Sequence, residues 1–584
     1  MAQSGETDIN TGRDTARDTR QVPLSEVERV SEAYVSKYAA LDPTGATAVG
    51  IDDHPDSLTD YSPDALAERS DLARSALADL QRIETTDAKD PRDRIASAYM
   101  QERLSVGLSL ESLGEQFREL NVLGGPIQAT REVFDLMARE TEQDWEQIAK
   151  RLAGVSASLS SVRQTLESGI QQGLVAPTRQ VEGVARQAAA WSGSTGNQSF
   201  FASLVEDFTR RGIGSKSLSD DLAKNSESAA TAFAEIAEFL CKNYLLASTA
   251  VDGVGRDRYS VFSRLYTGAD LDLDEAYEWG WAELARIEEQ MTAVGAQILP
   301  GASISEIVEL LETDPARSIE GPDAFRGWLQ DLLDQTISDL NHTHFDIPER
   351  VQRVEAMIAP PGGGAAMYYT GPSEDFSRPG RTWYPTQAHT RFPLWGEVST
   401  CYHEGVPGHH LQIAQVVHLG AKLTRFQRTL GWNSGHGEGW ALYAERLMGE
   451  LGYLEVPDYE FGMLRAHALR AVRVIVDIGM HLGLRIPNTE KDFAGEVWTP
   501  EIGLAFAIKR SRFPAEMMAF EIDRYLGLPG QAISYKIGER VWLEGREASK
   551  KQLGADFNLK AWHAFALDLG PLGLDLLKQE LANF

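Results

Sequence analysis

From Leu24 to about Asn341, apolar residues recur three and four positions apart, in runs separated by Gly, Pro, Asp and Ser. That spacing places the apolar side chains on one face of an α-helix. Ser25 precedes the first run and is typical of a helix N-cap. The pattern predicts a mainly α N-terminal half, with further helices near residues 62–85, 90–120, 128–171, 200–212, 226–249, 274–293 and 322–340. The run at 128–171 is either one long amphipathic helix or a helical hairpin.

The segment just before residue 390 has a pattern typical of β-strands. Residues 367–372 and 381–386 are rich in aromatic residues and threonine, and Gly-Pro and Pro-Gly pairs break the segment between them. This predicts a strand, a loop and a second strand. The small sheet is either structural only, or an edge that binds an extended ligand through main-chain hydrogen bonds. Tyr369 is our candidate on this edge for contact with such a ligand.

Residues 466–484 predict an apolar helix with one narrow polar stripe of Arg470, Arg473, Asp477 and His481. Buried charged groups are costly unless they are paired. The stripe therefore belongs either to an internal ion-pair network or to a ligand site. In the second case, Arg473 or His481 would contact the ligand, for example a peptide carboxylate.

Net charge and composition exclude some classes of binding partner. The 56 basic and 86 acidic residues of the 584-residue chain give a net charge of −30. This argues against nucleic acid and against anionic membranes as partners. The two cysteines form no disulfide framework and favour a cytoplasmic location. The polar residues 1–23 predict a disordered tail without the apolar core of a secretion signal, and no apolar run is long enough for a transmembrane helix.

Histidines are concentrated in one part of the chain: eight of the twelve lie between His389 and His481. The run His-Glu-Gly-Val-Pro-Gly-His-His at 403–410 resembles the zinc-binding HExxH helix of metallopeptidases with two extra residues. On a regular helix, His403 and His410 would lie about 10.5 Å apart along the axis, too far to share one ion. His403 and His409 would not even share a face.

The helix must therefore be deformed between these histidines, and Pro407 and Gly408 permit this. A bulge that absorbs two residues would bring His409 to the metal and leave His410 to contact the substrate. We favour His409 as the second ligand, although His410 remains open. The third ligand is expected in residues 432–445, where Glu438 is the first candidate, Glu445 the second, and His436 a further ligand or substrate donor. Glu438 would equally suit a first helical turn as a partner of the helix dipole.

Four motifs occur in order: HEGVPGHHLQ (403–412), EGWALYAE (438–445), RAVRVIVDIGMH (470–481) and PGQAISYKIG (529–538). Together they resemble the bacterial DUF885 family, which is grouped with gluzincin-type zinc metallopeptidases. The resemblance implies a Zn²⁺ ion held by His403, His409 and Glu438. It also implies that Glu404 acts as the general base.

The resemblance favours a zinc metallopeptidase that cleaves short peptides or peptide-like substrates. Tyr535 or His481 would stabilise the tetrahedral intermediate, although Tyr535 is equally typical of a packed core tyrosine. The fold expected is mainly α, with a small β element beside the metal helix. Residues 24–345 would form a helical lobe and residues 346–584 a catalytic lobe, with a cleft between them. A peptide-binding protein without turnover, and a metal-dependent hydrolase of esters or other amides, are the alternatives.

Overall fold

The computed structural model describes residues 23–51, 53–84, 90–359, 367–386 and 389–584. The predicted disordered tail at 1–23 therefore lies outside the described residues, except for Pro23. The mainly α fold is confirmed. The helices before residue 345 are α1 (Glu26–Leu41), α2 (Pro43–Ala48), α3 (Pro63–Glu84), α4 (Pro91–Ser112), α5 (Pro126–Leu136), α6 (Glu142–Gln172), α7 (Thr178–Ser192), α8 (Phe200–Arg211), α9 (Lys216–Phe239), α10 (Leu245–Ala247), α11 (Arg256–Thr267), α12 (Leu273–Ile298), α13 (Ile304–Thr313) and α14 (Pro322–Leu340).

The remaining helices surround the candidate site. They are α15 (Glu397–Glu404), α16 (His409–Leu419), α17 (Arg425–Arg428), α18 (Ser434–Glu450), α19 (Pro457–Leu482), α20 (Pro500–Ser511), α21 (Ala515–Gly527), α22 (Ser534–Leu553), α23 (Leu559–Asp568) and α24 (Leu574–Leu581). Helices α18 and α22 cross closely, because a Cβ atom on Gly439 would lie 2.5 Å from the Cα atom of Gly538. Only glycine at this crossing lets the two backbones approach so closely.

Local signals account for most of the helix boundaries. Ser25 caps α1 in a complete capping box with Glu28, as its position predicts. The run at 128–171 is a hairpin of two helices, α5 and α6, separated by a short connection. The helix predicted for 90–120 ends early, because Gly114 adopts a left-handed conformation with φ of 70°.

Two small sheets precede the candidate site. The strands are β1 (Ser318–Glu320), β2 (Val354–Ile358), β3 (Tyr368–Thr370), β4 (Gly380–Tyr384) and β5 (Arg391–Pro393). The predicted strand–loop–strand unit is β3 and β4, which pair antiparallel with Tyr369 opposite Thr382. Strand β2 adds to the other side of β4 in parallel, so β2 and β3 are the edges of a three-stranded sheet.

The buried apolar residues form two cores. The larger core runs from Val27 to Leu581 and joins residues on both sides of position 345. The smaller core consists of Tyr61 and residues between Leu120 and Tyr244. The division at 345 and the cleft between two lobes remain predictions. Among the described residues, no helix combines the length and the apolar character needed to cross a bilayer.

Candidate metal centre

The helix is interrupted between the two predicted metal-binding histidines. Helix α15 ends at Glu404, and α16 begins at His409. The connecting turn is held by hydrogen bonds from the Gly408 amide to the Tyr402 carbonyl (3.0 Å) and from the His410 amide to the Gly405 carbonyl (3.0 Å). The predicted deformation is therefore a full interruption of the helix rather than a bulge within it.

Gly408 is the residue that makes this turn possible. A Cβ atom at position 408 would lie 2.0 Å from the carbonyl oxygen of His403, closer than any side chain allows. The requirement is therefore for the absence of a side chain, and the φ of Gly408 (−73°) is not left-handed. Gly408 packs closely against the backbone at the end of α15, and the rings of His403 and His409 lie with their centroids 4.8 Å apart.

His403, His409 and Glu438 converge on one point. One ligand atom from each lies within 4.8 Å of the other two. The Glu438 Oε2 atom is 3.4 Å from Nε2 of His403 and 3.4 Å from Nε2 of His409. The two imidazole rings are nearly perpendicular, with centroids 4.8 Å apart. Glu438 lies in the first turns of α18, the helix that the sequence predicts there.

These three side chains fit a tetrahedral divalent ion. Two ligand atoms bound at 2.0–2.1 Å on a tetrahedral ion lie about 3.3 Å apart, close to the 3.4 Å between Glu438 and each histidine. The Glu438 Oε2 atom is buried and makes no hydrogen bond to the described residues. A buried carboxylate oxygen without a partner is costly, and a cation between the three groups would remove that cost.

The charges of the three groups respond to one another. Burial disfavours the charged imidazolium, but the carboxylates of Glu438 and Glu445 outweigh it and raise the pKa of His403 to about 9. Burial also disfavours the Glu438 carboxylate, yet His409 and His403 hold its pKa well below the usual range. Without an ion, the cluster attracts a proton to His403. A metal ion would have to displace that proton.

His410 faces away from this centre. Its Nε2 atom donates to the Val351 carbonyl at 2.7 Å, and its Nδ1 atom lies 2.9 Å from the Tyr369 hydroxyl. Burial lowers the pKa of His410 to about 4. Both ring nitrogens are therefore engaged by the protein, and the geometry favours His409 as the second ligand. The substrate contacts predicted for His410 and Tyr369 remain predictions.

Glu445, the second candidate for the third ligand, lies behind His403 instead. Its Oε1 atom is 2.7 Å from the His403 Nδ1 atom, and its Oε2 atom accepts from the Ser399 hydroxyl. Arg470 lies 3.5 Å away on α19. A carboxylate on the far nitrogen of a metal-binding histidine fixes the ring orientation and raises its basicity. Glu445 thus directs Nε2 of His403 toward Glu438.

A buried polar network extends from Glu445. His467 Nε2 lies 3.5 Å from Glu445, and His467 Nδ1 accepts from Lys536 Nζ at 3.2 Å. Lys536 is fully buried and also donates to Glu283 (2.8 Å) and Glu539. The network anchors the support of His403 to helices α12, α19 and α22. These contacts could not be predicted from the sequence motifs, because the residues that make them lie far apart in the sequence.

Glu445→Gln is expected to weaken metal binding about 10- to 100-fold, because the amide is a poorer acceptor for the His403 ring. Competition against a chromophoric chelator at fixed pH measures the affinity. Glu450→Gln is the matched control on α18, since the Glu450 carboxylate pairs with Arg546 at 2.7 Å. Equal metal affinities for both variants would contradict a supporting role for Glu445.

Glu404, the predicted general base, follows His403 at the end of α15. It is 8% exposed, and its carboxylate makes no hydrogen bond to the described residues. Nearby, the hydroxyl of Tyr384 on β4 is buried without a partner among those residues. Burial, Cys401 and Glu404 together keep the pKa of Tyr384 well above its usual value. The role of Glu404 as the general base remains a prediction.

Tyr535 and Arg473 contact each other. The Arg473 guanidinium lies 4.6 Å from the centroid of the Tyr535 ring, and the Tyr535 hydroxyl is 3.5 Å from Arg524. Arg473 also forms an ion pair with Glu521 at 2.8 Å. Arg473 is one helical turn along α19 from Arg470, which contacts Glu445. The catalytic role of Tyr535 and the substrate contact of Arg473 remain predictions.

His481 lies farther along the same helix. It is eleven residues beyond Arg470, about 16 Å along the axis of α19. Its Nε2 atom is 3.0 Å from the Tyr525 carbonyl, and its Nδ1 atom accepts from the Val254 amide at 3.3 Å. Burial lowers its pKa to about 4. His481 is not brought to the three-residue centre, and its predicted catalytic role is not supported by its position.

His436, two residues before Glu438 on α18, is not among the three converging residues. Its Nδ1 atom lies 3.0 Å from the Gln412 side-chain nitrogen, and its Nε2 atom is buried without a partner among the described residues. Burial lowers its pKa to about 3. The ring is thus a neutral neighbour of the centre, and its use as a ligand remains a prediction.

A family model described as "Bacterial protein of unknown function (DUF885)" matches residues 43–581. The chain belongs to the DUF885 family. The predicted membership is therefore confirmed over nearly the whole length, including the N-terminal half that carries no sharp motif. No curated protein matches the chain. The family description assigns no activity, so the link to gluzincin-type peptidases is not part of this finding.

Two solved structures share the fold of this DUF885 chain. The "putative lipoprotein" from Colwellia psychrerythraea has a TM-score of 0.81 and 21% identity, over 96% of this chain and 99% of the other. A "putative lipoprotein of unknown function" from Shewanella oneidensis has a TM-score of 0.74 and 16% identity, over 95% of this chain and 99% of the other. At these identities the likeness establishes the fold alone.

The cytoplasmic location predicted from the sequence is contradicted by these two neighbours, because lipoproteins are membrane-anchored or secreted. That prediction relied on the small number of cysteines. Cys241 is exposed and Cys401 is buried, and both are free. A pair of free, distant cysteines is equally compatible with either compartment, so the count carried no information on location.

Proposed function

We propose that this DUF885 protein is a zinc-dependent hydrolase, most specifically a metallopeptidase that acts on short peptides. The observation that carries the proposal is the convergence of His403, His409 and Glu438, with Glu404 next to His403 in the sequence. Two histidines and one glutamate are a ligand set typical of catalytic zinc sites, which keep a fourth position open. The same set, with a glutamate from a following helix, is what a gluzincin-type relationship implies.

Each side chain at this centre would have its own role in hydrolysis. A zinc ion at this centre would supply Lewis acidity toward water and toward a substrate carbonyl. Glu404 would accept the proton of the attacking water, and its carboxylate has no competing hydrogen bond to the described residues. It would then donate that proton to the leaving amine. Glu445 would hold the His403 ring in place during both steps.

Tyr535 is the candidate donor for the developing oxyanion. Its hydroxyl has one long contact, 3.5 Å to Arg524, so it retains hydrogen-bonding capacity for a substrate. Arg473 lies against its ring and would keep it in position. Strand β3 has no strand partner on its outer side among the described residues, and an extended peptide would pair with that edge, whereas Gln330 occupies the outer edge of β2. The lipoprotein neighbours favour an activity outside the cytoplasm.

The proposal is tested with the purified full chain in zinc-loaded and chelated forms. Both are incubated with a library of short peptides, and with amide and ester pairs of the same acyl group. We expect new amino termini only with the zinc-loaded protein, loss of activity on chelation, and recovery on adding zinc. Peptide binding without cleavage would indicate a binding protein instead. Cleavage of esters but not amides would indicate a different hydrolase.

A further inference from the structure

A cavity of about 510 Å³ lies between the two hydrophobic cores. Leu120 on its wall belongs to the smaller core, and Leu526 belongs to the larger one. Helix α11 supplies Phe262 and Tyr266 to the same wall. Its volume is within the range of pockets that hold small-molecule ligands, and its lining is mostly apolar. None of the three converging metal-site residues lines it.

One carboxylate in this cavity is not neutralised. Glu119 keeps an exposed side chain on the cavity wall, and it makes no hydrogen bond or ion pair with any described residue. Its neighbour Glu115 shows the contrast, because Glu115 pairs with Arg118 at 3.0 Å and with Arg258 at 2.7 Å. The cavity therefore presents one free acidic group amid paired ones.

The nearest cation that acts on Glu119 is committed elsewhere. Arg69 donates to the Asp60 carbonyl at 2.8 Å and lies over the Tyr61 ring at 5.5 Å. The apolar surroundings of the Glu119 carboxylate raise its pKa, and the charge of Arg69 offsets this only in part. The unpaired, exposed Glu119 carboxylate on this mostly apolar wall attracts positive charge, so the cavity favours a positively charged group from outside the protein.

Aromatic side chains complete the surroundings of this carboxylate. Phe262 and Tyr266 both line the cavity, and the Tyr266 hydroxyl makes no hydrogen bond to the described residues. Burial and the nearby Glu119 carboxylate raise the pKa of Tyr266. Aromatic faces attract ammonium groups, and a free hydroxyl accepts a hydrogen bond from one. Carboxylate, hydroxyl and aromatic faces together suit a primary ammonium group.

We propose that this cavity binds a small apolar molecule that carries one primary ammonium group, with the ammonium at Glu119 and Tyr266. The free amino end of a short peptide rich in apolar residues belongs to this class. The site is built from residues outside the candidate metal centre, so it does not depend on the proposed hydrolase activity.

The test uses the full chain after chelation of metals, so that hydrolysis plays no part. Calorimetry measures binding of leucinamide, which carries the ammonium group, and of N-acetylleucinamide, which lacks it. We expect leucinamide alone to bind the wild-type protein. Glu119→Gln is expected to weaken that binding about 10- to 100-fold, because a charge-assisted hydrogen bond is lost.

Glu167→Gln is the matched control, since Glu167 is partly exposed on α6, lies outside the cavity and pairs with Arg163 at 2.8 Å. It is expected to bind leucinamide like the wild type. The comparison of the two ligands on wild-type protein needs no variant, so it stands even if Glu119→Gln folds poorly. Equal binding of both ligands, no binding of leucinamide, or unchanged binding by a folded Glu119→Gln would each overturn the proposal. Failure of hydrolysis alone would not affect it.

Discussion

Glu404→Gln is expected to lower peptide turnover by about 100- to 10,000-fold while the zinc content stays near that of the wild type. The substitution keeps the size of the side chain but removes its capacity to accept a proton. Glu404 is not one of the three converging ligands, and its carboxylate makes no hydrogen bond to the described residues. The loss should therefore appear in kcat, with little effect on folding or on metal binding.

Turnover is followed by the release of new amino termini, and metal content by elemental analysis of the same samples. Glu397→Gln is the matched control on α15, two turns before Glu404 on the same helix. Glu397 is half-buried and has no cation partner among the described residues, and its desolvation together with the Glu312 carboxylate raises its pKa to about 7, so its amide should be tolerated. Unchanged turnover in Glu404→Gln, or a parallel fall in zinc content, would contradict its role as the general base.

The sequence predicts much of this fold because helix formation here is local. Apolar periodicity and caps such as Ser25 specify where helices start, and Gly114 shows where one must stop. The interruption between His403 and His409 was also predictable. A regular helix excludes a shared ion, and Pro407 and Gly408 are the residues that permit an interruption. The spacing of the histidines and the helix-breaking residues between them are therefore enough to predict the interruption.

The rest of the site depends on contacts between distant segments. Glu445 is a glutamate on a similar face of α18 to Glu438. The sequence therefore does not show that Glu445 lies behind His403 and that Glu438 is the residue at the metal centre. The partners of His481 are Val254 and Tyr525, which lie 227 and 44 residues away. Glu119 is a single acidic residue in an irregular segment, and no sequence pattern identifies it as a ligand-binding residue. Only the packing of the two cores reveals the cavity around it.

His409→Gln is expected to retain less than about a tenth of an equivalent of zinc after gel filtration, whereas His410→Gln retains about one. Loss of one of three ligands leaves only His403 and Glu438, too few to hold the ion against dilution. His410 is turned to Val351 and Tyr369, so its replacement should leave the metal bound. It should instead lower the free energy of unfolding by about 1–3 kcal/mol, because a buried carbonyl loses its donor.

The two variants share one residue type and adjacent positions, so each is the control for the other. Elemental analysis gives the zinc content, and chemical denaturation of the chelated proteins gives the free energy of unfolding without a metal contribution. Zinc loss in His410→Gln with retention in His409→Gln would reverse the ligand assignment. Zinc retention in both variants would contradict the proposal that zinc binds at this centre. The opposed outcomes follow from one turn: Gly408, packed against the His403 carbonyl, directs His409 inward and His410 toward β3.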